Sequence, residues 1–488
     1  MSNGLRSRAL SAVLWSGIDT FVRQGLQFAI SVVLARLLTP EEFGTVALLY
    51  LFIGIAGAFV DSGFSSALIQ KQDVTYADES TVFWFNLLMG LIAATVLWSA
   101  APAISSFYGI PILLPLTGVM ALNILIGSLG SIHSTLLTKR LDFRTHLKVG
   151  GIASGISGVL AVILAWRGYG VWALAAQTLL TTLIATVLLW LFNPWRPGLV
   201  FSFASARRLF GFGGFLLASS LLDIAYSRIY TLLIGKFYGV HELGFYNRAE
   251  TTKQLPVGVL TSVLSRVAFP IFSSAASDRE QLKRGVKLAL RGIMLINVPL
   301  MLGLAVTAEP FIHALYGHQW VPAAPVMQVL CLGAVLWPLH VINLNVLMAQ
   351  GYSHLYFRLE VVKKLLGVAL LSWGAFYGMM GIAWSQMAFS LIAFGINAYY
   401  SKDHLGYGAK EQMLDIVPAF LVSAAMAGML ALLQQAIVMA PLLEMAVLTL
   451  VGFVFYFAVC WIGRVSLLQD MLHLLRQRSP IRVGVSRS

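Results

Sequence analysis

Charge is scarce in this chain of 488 residues: Asp, Glu, Lys and Arg make up 11% of it, against about a quarter in a soluble domain. Cysteine is scarcer still. Cys331 and Cys460 are the two present, far apart and both inside apolar stretches, so neither a disulfide framework nor a zinc-ligand spacing exists. Between the apolar stretches no polar segment is long enough to fold as a separate domain. That excludes an independent soluble active site. A cleavable leader is missing too. The first apolar segment is long, contains Asp19 and Arg23 and lacks a small-residue cleavage site, which predicts a retained signal-anchor.

What fills the chain is hydrophobic, 58% by count. A membrane-crossing helix needs about 20 mostly apolar residues. Fourteen stretches meet that requirement: 12–35, 44–69, 81–105, 112–137, 149–166, 171–192, 210–235, 243–268, 288–314, 323–349, 359–377, 380–400, 413–435 and 441–463. The expectation is an all-α polytopic membrane protein of about 14 transmembrane helices. The formal net charge of +13 then reflects cytoplasmic loops rather than nucleic acid. With the N-terminus inside, 25 of the 33 Lys and Arg fall on the cytoplasmic side, while Arg36, Arg167 and Lys236 fall outside. This is the asymmetry the positive-inside rule demands, and it places both termini in the cytoplasm.

The chain also repeats itself. Ala35-Arg36-Leu37-Leu38-Thr39-Pro40-Glu41-Glu42-Phe43-Gly44 is matched by Gly235-Lys236-Phe237-Tyr238-Gly239-Val240-His241-Glu242-Leu243-Gly244, with the basic residue, a Glu and the final Gly in register. The end of helix 3, Pro102 to Tyr108-Gly109, is matched by the end of helix 9, Pro310 to Tyr316-Gly317; Gly170-Val171-Trp172 pairs with Gly381-Ile382-Ala383-Trp384. Six helices per repeat is even, so the repeat is parallel. Two six-helix lobes, 1–195 and 205–402, are therefore expected, followed by two additional helices in 410–464 and a basic cytoplasmic tail, 465–488. Transporters built on repeats bind substrate near mid-membrane at the repeat interface.

Charged side chains within the hydrocarbon are functional candidates by default. Helix 1 carries Ser16, Asp19, Arg23, Gln27 and Ser31 at helical spacing, and helix 7 carries Ser219, Ser220, Asp223, Ser227, Arg228, Tyr230 and Thr231. Both stripes are expected to line one central cavity. The alternative for Asp19 and Arg23 is a self-neutralising pair one turn apart. Helix 8 is the most polar, with Asn247, Arg248, Glu250, Thr251, Thr252, Lys253 and Gln254 ahead of Pro256, where a break is expected. Arg248 either faces the cavity or snorkels to the outer interface. Asp61, near the cytoplasmic end of helix 2, reads as a cap or gate. With Arg266 at the cytoplasmic end of helix 8, five cations stand against four carboxylates in this set, and a cationic cleft suits an anionic, phosphate-bearing substrate. The carboxylates Asp19, Asp61, Asp223 and Glu250 are the candidates for proton or sodium coupling. No other cofactor is implied.

These residues carry a resemblance. Gly244-Phe245-Tyr246-Asn247-Arg248-Ala249-Glu250, Gln254-Leu255-Pro256-Val257 and Leu264-Ser265-Arg266-Val267-Ala268-Phe269-Pro270 resemble helix 8 of the Wzx-type polysaccharide flippases. The segment Leu34 to Gly44 and Asp61-Ser62-Gly63-Phe64-Ser65-Ser66-Ala67-Leu68-Ile69-Gln70 resemble their opening. The flippases belong to the multidrug/oligosaccharidyl-lipid/polysaccharide exporter superfamily. The likeness covers nearly the whole chain and is strongest in 30–72 and 234–272. It implies a non-enzymatic protein of the bacterial inner membrane. Its substrate would be undecaprenyl-pyrophosphate-linked oligosaccharide, moved to the periplasmic leaflet for O-antigen, capsule or exopolysaccharide. Implied partners are that lipid, the surrounding membrane lipids, and the polysaccharide polymerase and export machinery. By the same analogy Arg23 and Arg248 match arginines that engage the pyrophosphate, while Arg228 and Lys253 are added on position. Two rival readings are a cation-coupled multidrug antiporter of the same superfamily and a membrane polymerase or ligase. The cationic interior weighs against the first, and the lack of an extramembrane loop or acidic metal motif against the second.

Overall fold

The structure is a computed structural model that describes residues 3–462 other than 62, 72, 277 and 438; the basic tail 465–488 lies outside the described residues. It forms two compact units, Met1–Asn247 and Arg248–Ser488. Among the described residues there is no strand.

In the first unit α1 (Asn3–Leu37), α2 (Pro40–Asp61), α3 (Phe64–Gln70), α4 (Tyr76–Tyr108), α5 (Leu113–Lys139), α6 (Phe143–Trp166) and α7 (Val171–Phe192) are followed by α8 (Phe203–Ser227) and α9 (Ile229–Phe237). Helix α10 (Gly239–Ser274) begins there. The second unit continues with α11 (Arg279–Val306), α12 (Ala308–Tyr316), α13 (Ala324–Ala334), α14 (Trp337–Ala349), α15 (Ser353–Gly374), α16 (Gly378–Leu405), α17 (Ala409–Ala436) and α18 (Pro441–Ile462). All fourteen expected segments are helical. Among the described residues eleven stretches are long and apolar enough to cross a membrane. One of these, His354–Leu405, holds two of the expected segments. The two segments outside the eleven are α1 and α10, the helices that carry the densest polar stripes.

Four segments are broken, and none of the breaks lies at Pro256. Helix α10 runs through that proline without interruption, correcting the expected break. A proline removes a single donor, and neighbouring groups in a membrane protein can take up the freed carbonyl. The breaks lie instead at Gly63, Arg228, Thr307 and between Ala334 and Trp337. Gly63 sits at φ 70°, and a Cβ there would lie 2.3 Å from the Gly213 carbonyl oxygen, so only glycine suits this turn. At the last break, buried Asn297 donates to the carbonyls of Ala334 (3.3 Å) and Val335 (2.8 Å). Lost helical hydrogen bonds are answered by a side chain rather than left unpaired.

Packing follows small residues, as expected where apolar lipid supplies no hydrophobic drive between helices. In the first unit α4 packs on α5, α1 on α6, and α8 on α2, α3 and α4; in the second, α11 packs on α17, α15 on α16, and α18 on α17 and α12. The repeat turns around Gly44 and Gly244 meet reciprocally within the first unit. A Cβ on Gly44 would lie 1.8 Å from the Val240 carbonyl oxygen, and one on Gly244 would lie 1.9 Å from that of Pro40. Pro40 and Val240 occupy the same place in the two matched decapeptides, so the contact is self-complementary, as a local two-fold relation requires. Backbone faces backbone here and no side chain can yield. Gly44→Ala should therefore destabilise the protein by about 1–3 kcal/mol. Thermal unfolding in detergent should show it, whereas Gly25→Ala, where a Cβ meets nothing within 4 Å, should leave the melting temperature unchanged.

Candidate functional site

The expected site residues fall into two groups, each held by its own unit. In the first, Asp19 and Arg23 lie one turn apart on α1 and form an ion pair of 3.2 Å. Asp19 is buried, its side chain 8% exposed, while the Arg23 side chain is 46% exposed. The Oδ1 atom of Asp19 is buried with no hydrogen-bond partner among the described residues. Gly150 of α6 permits this placement, because a Cβ there would lie 2.5 Å from Cδ of Arg23. The arginine stem runs against the neighbouring helix and the guanidinium is left open. Gln24 and Gln27 beside it are exposed too. Asp61 is the last residue of α2 and half-buried. Asp223 is exposed on α8, and half-buried Arg228 is the residue at which helix 7 divides into α8 and α9.

In the second unit Lys253 donates to both carboxylate oxygens of Glu250 at 2.8 Å and is buried. Arg248 is enclosed differently. It is 5% exposed, and its guanidinium lies 4.7 Å from the ring centre of Tyr316 and 5.0 Å from that of Trp320. Both rings are buried. The Thr252 hydroxyl bonds the Arg248 carbonyl (2.8 Å) and the Tyr316 hydroxyl (2.9 Å), closing the box. Two aromatic faces flanking a guanidinium stabilise it as a cation. Arg248 is thus neither snorkelled nor open. Its box is built by Tyr316 at the end of α12 and Trp320 in the turn after it, where the sequence pattern shows only a repeat landmark.

Sequence reading also missed three polar constellations. The apolar segment 81–105 leaves Asp78 outside it. The helix starts at Tyr76, and Asp78 is fully buried in a capping box with Thr75. The Thr75-x-x-Asp78 spacing is the signal that would have found it. Asp78 also takes Lys71 and Arg208, the latter at 3.0 Å. In the second unit Asp415 on α17 takes Arg291 and Lys287 of α11 and the Tyr407 hydroxyl at 2.7 Å. Tyr407 lies between α16 and α17; burial, with the adjoining Asp415 charge, pushes its hydroxyl far above the ordinary tyrosine range and keeps it a donor. The third constellation is a buried polar column. Asn397 donates to Nδ1 of His340 (3.3 Å), which leaves Nε2 as the donor to Ser390 (3.2 Å). Beside it Ser401 (2.6 Å) and Gln412 (2.9 Å) converge on Asn343 Oδ1. Among the described residues no group of His, Cys, Asp and Glu could hold a metal ion.

Residues 33–325 match the family described as polysaccharide biosynthesis protein. The chain belongs to that family. The teichuronic acid biosynthesis protein TuaB of Bacillus subtilis (strain 168) is 28% identical over 86% of this chain and 88% of its own. The lipopolysaccharide biosynthesis protein WzxC of Escherichia coli (strain K12) is 26% identical, with 86% of each chain covered. The succinoglycan biosynthesis transport protein ExoT of Rhizobium meliloti (strain 1021) is 26% identical over 96% of this chain and 95% of its own. Of solved structures, lipid II flippase MurJ in an inward closed conformation has a TM-score of 0.73 at 17% identity, covering 93% of this chain and 100% of that one. An inward-facing multidrug resistance MATE transporter of the MOP superfamily has a TM-score of 0.59 at 17% identity, covering 82% and 100%. The polysaccharide-flippase resemblance is borne out, and the all-helical transporter fold with it. Polysaccharide biosynthesis is the role that the family's description gives.

The two arginines should respond differently to truncation. Arg248→Ala leaves two buried rings facing a void and should cost roughly 2–4 kcal/mol of stability. Arg23→Ala removes a half-exposed side chain but strands the buried Asp19 carboxylate, so its cost of roughly 1–3 kcal/mol should largely disappear when Asp19→Asn is added. Melting temperatures of the purified variants measure the contrast.

Proposed function

We propose that the protein flips undecaprenyl-pyrophosphate-linked oligosaccharide from the cytoplasmic to the periplasmic leaflet of the bacterial inner membrane, by alternating access through a cationic central cavity, with both termini in the cytoplasm. Arg23, Arg228, Arg248 and Lys253 are the proposed substrate cations. The observation that carries the reading is Arg23: an open guanidinium, held by one ion pair to a buried carboxylate, on a helix too polar to count among the apolar spans. A guanidinium fork matches two phosphate oxygens, and charge-assisted hydrogen bonds are roughly twice as strong as neutral ones. Substrate phosphate and Asp19 would compete for the same donor, which allows binding without irreversible capture. Arg248, boxed by Tyr316 and Trp320, supplies its charge to the site through the field rather than through open donors.

Expression of Arg23→Ala in a deletion strain should fail to restore surface polysaccharide and leave lipid-linked repeat units unprocessed, at normal membrane levels of the protein. Arg23→Lys keeps the charge without the fork and should restore it partially, while exposed Arg36→Ala should restore it fully. Full restoration by both Arg23→Ala and Arg248→Ala would overturn the proposal. Coupling to protons or sodium is proposed through Asp19, Asp61, Asp223 or Glu250. Of these, Asp19 and Glu250 are each joined to a cation one turn away. Transport by the neutral Asn or Gln variants should lose its ion dependence at one of the four positions, and retention in all four would refute coupling through these groups.

A further inference from the structure

Each six-helix repeat leaves through a connection that is fastened, in the same place, to the repeat's third helix. In the first unit that helix is α4. Its side chains at 76, 80, 81 and 84 hold the connection 193–202 through the connection's own backbone. The Tyr76 hydroxyl donates to the Arg196 carbonyl (2.8 Å), the Gly198 amide donates to Ser80 (3.1 Å), the Ser202 amide to Thr81 (3.0 Å), and the Trp84 indole to the Gly198 carbonyl (2.8 Å). Positions 76, 80 and 84 lie one turn apart and share one face of the helix. Buried Asp78, on the same turns, reaches across to Arg208 at the start of α8.

The second unit repeats the device with its charges exchanged. Helices α11 and α12 together are the ninth helix, the counterpart of α4 by the matched ends Tyr108-Gly109 and Tyr316-Gly317, and α11 is its first part. It presents Arg279, Lys283, Lys287 and Arg291, again every fourth residue. Arg279 donates to the Asp403 carbonyl (3.4 Å) and Lys283 to the Gly406 carbonyl (2.6 Å). Lys287 and Arg291 take Asp415 at the start of α17. In the first unit the carboxylate sits on the third helix and the base on the helix after the connection; in the second the assignment is reversed. The fastening side chains of α4 (Tyr76, Ser80, Thr81, Trp84) and of α11 (Arg279, Lys283, Lys287, Arg291) share no residue type, so the common feature is the fastening itself.

We propose that Asp78 and Asp415 are positioning residues for transport, each locking the connection that leaves its repeat to the third helix, so that the connection travels with the repeat as a rigid strap and does not flex during the transport cycle. This rests on the flippase reading above, in which repeats move. A cycle of alternating access needs some part of the chain to bend, and hydrogen-bonded straps of this kind confine bending to the helix breaks beyond them. For the first repeat the next break is Arg228.

The test is a covalent strap in the full chain. Thr81→Cys and Ser202→Cys are introduced together with Cys331→Ser and Cys460→Ser, and membranes are oxidised. The disulfide should form, read on gels without any substrate. Surface polysaccharide in the complemented deletion strain should stay within roughly two-fold of the reduced form. Asp78→Asn alone should lower it about ten-fold, a loss of the order of one strong charge-assisted contact. Adding the disulfide to Asp78→Asn should restore it, because the covalent link replaces the fastening. Transport that falls on oxidation and returns with reductant, a disulfide that does not form, an active Asp78→Asn, or an Asp78→Asn that the disulfide fails to rescue would each overturn the proposal. A deletion strain with unaltered polysaccharide would overturn the flippase reading instead, while disulfide yield would still report on the strap.

Discussion

An ionised group inside hydrocarbon must be answered by the chain itself, and most of what is specific in this protein follows from how that is done. One answer is the nearest one. Asp19 with Arg23, Glu250 with Lys253, and Glu360 with Lys363 are each joined across a single helical turn. Such pairs need no tertiary partner and form as soon as the helix does, so they permit a polar helix to exist without dictating what it packs on. Asp78 and Asp415 are different, because their cations come from other elements of the fold. Removing one partner of a buried pair leaves an uncompensated charge, which costs far more than the pair contributes. Those two carboxylates therefore constrain tertiary structure, and the turn-neighbour pairs do not.

The same accounting applies to backbone. A helix break within the membrane frees amides and carbonyls that must be satisfied by the protein, and two of the breaks in this fold show how. Gly63 makes its turn against the Gly213 backbone, and Asn297 answers the carbonyls of Ala334 and Val335. Proline is not the determinant. Pro102, Pro299 and Pro418 all lie inside continuous helices, as Pro256 does. A missing donor is tolerated where the ladder on either side is intact, whereas a glycine at positive φ against another backbone cannot be replaced by helix.

How much of this was legible beforehand follows from the range over which each signal acts. Apolar length is a property of about 20 successive residues, and the fourteen segments emerge from it with only their internal breaks unseen. The pairs of α1 and α10 are visible because their partners sit three or four positions apart. The repeat of Arg36 to Gly44 at Lys236 to Gly244 is visible as sequence, but not that Gly44 meets Val240 while Gly244 meets Pro40. The Arg248 box draws Tyr316 and Trp320 from about 70 residues away in the chain, and the Asp415 clasp draws Arg291 from 124. No local pattern encodes such distances. Asp78 was lost for a smaller reason: an apolar window begins where hydrophobic residues begin, and the polar first turn of α4 falls before it.

The three kinds of arginine in this chain show why charge alone does not locate a binding site. Arg291 is spent on Asp415, and its donors are committed to holding two helices together. Arg248 has its faces covered by aromatic rings, which favours the cation while shielding it from any anion that approaches. Arg23 keeps a half-exposed head on an otherwise satisfied stem. A mobile anionic ligand needs a donor that is already desolvated enough to attract it and still free enough to be exchanged. An exposed surface arginine fails the first condition through hydration and screening, and a boxed one fails the second. Arg23 meets both, because Asp19 lowers the cost of placing the guanidinium within the membrane while occupying one side of it. The buried Oδ1 of Asp19, without a hydrogen-bond partner among the described residues, keeps that pair from being a fully satisfied lock, and an incompletely satisfied pair is the one a phosphate can open.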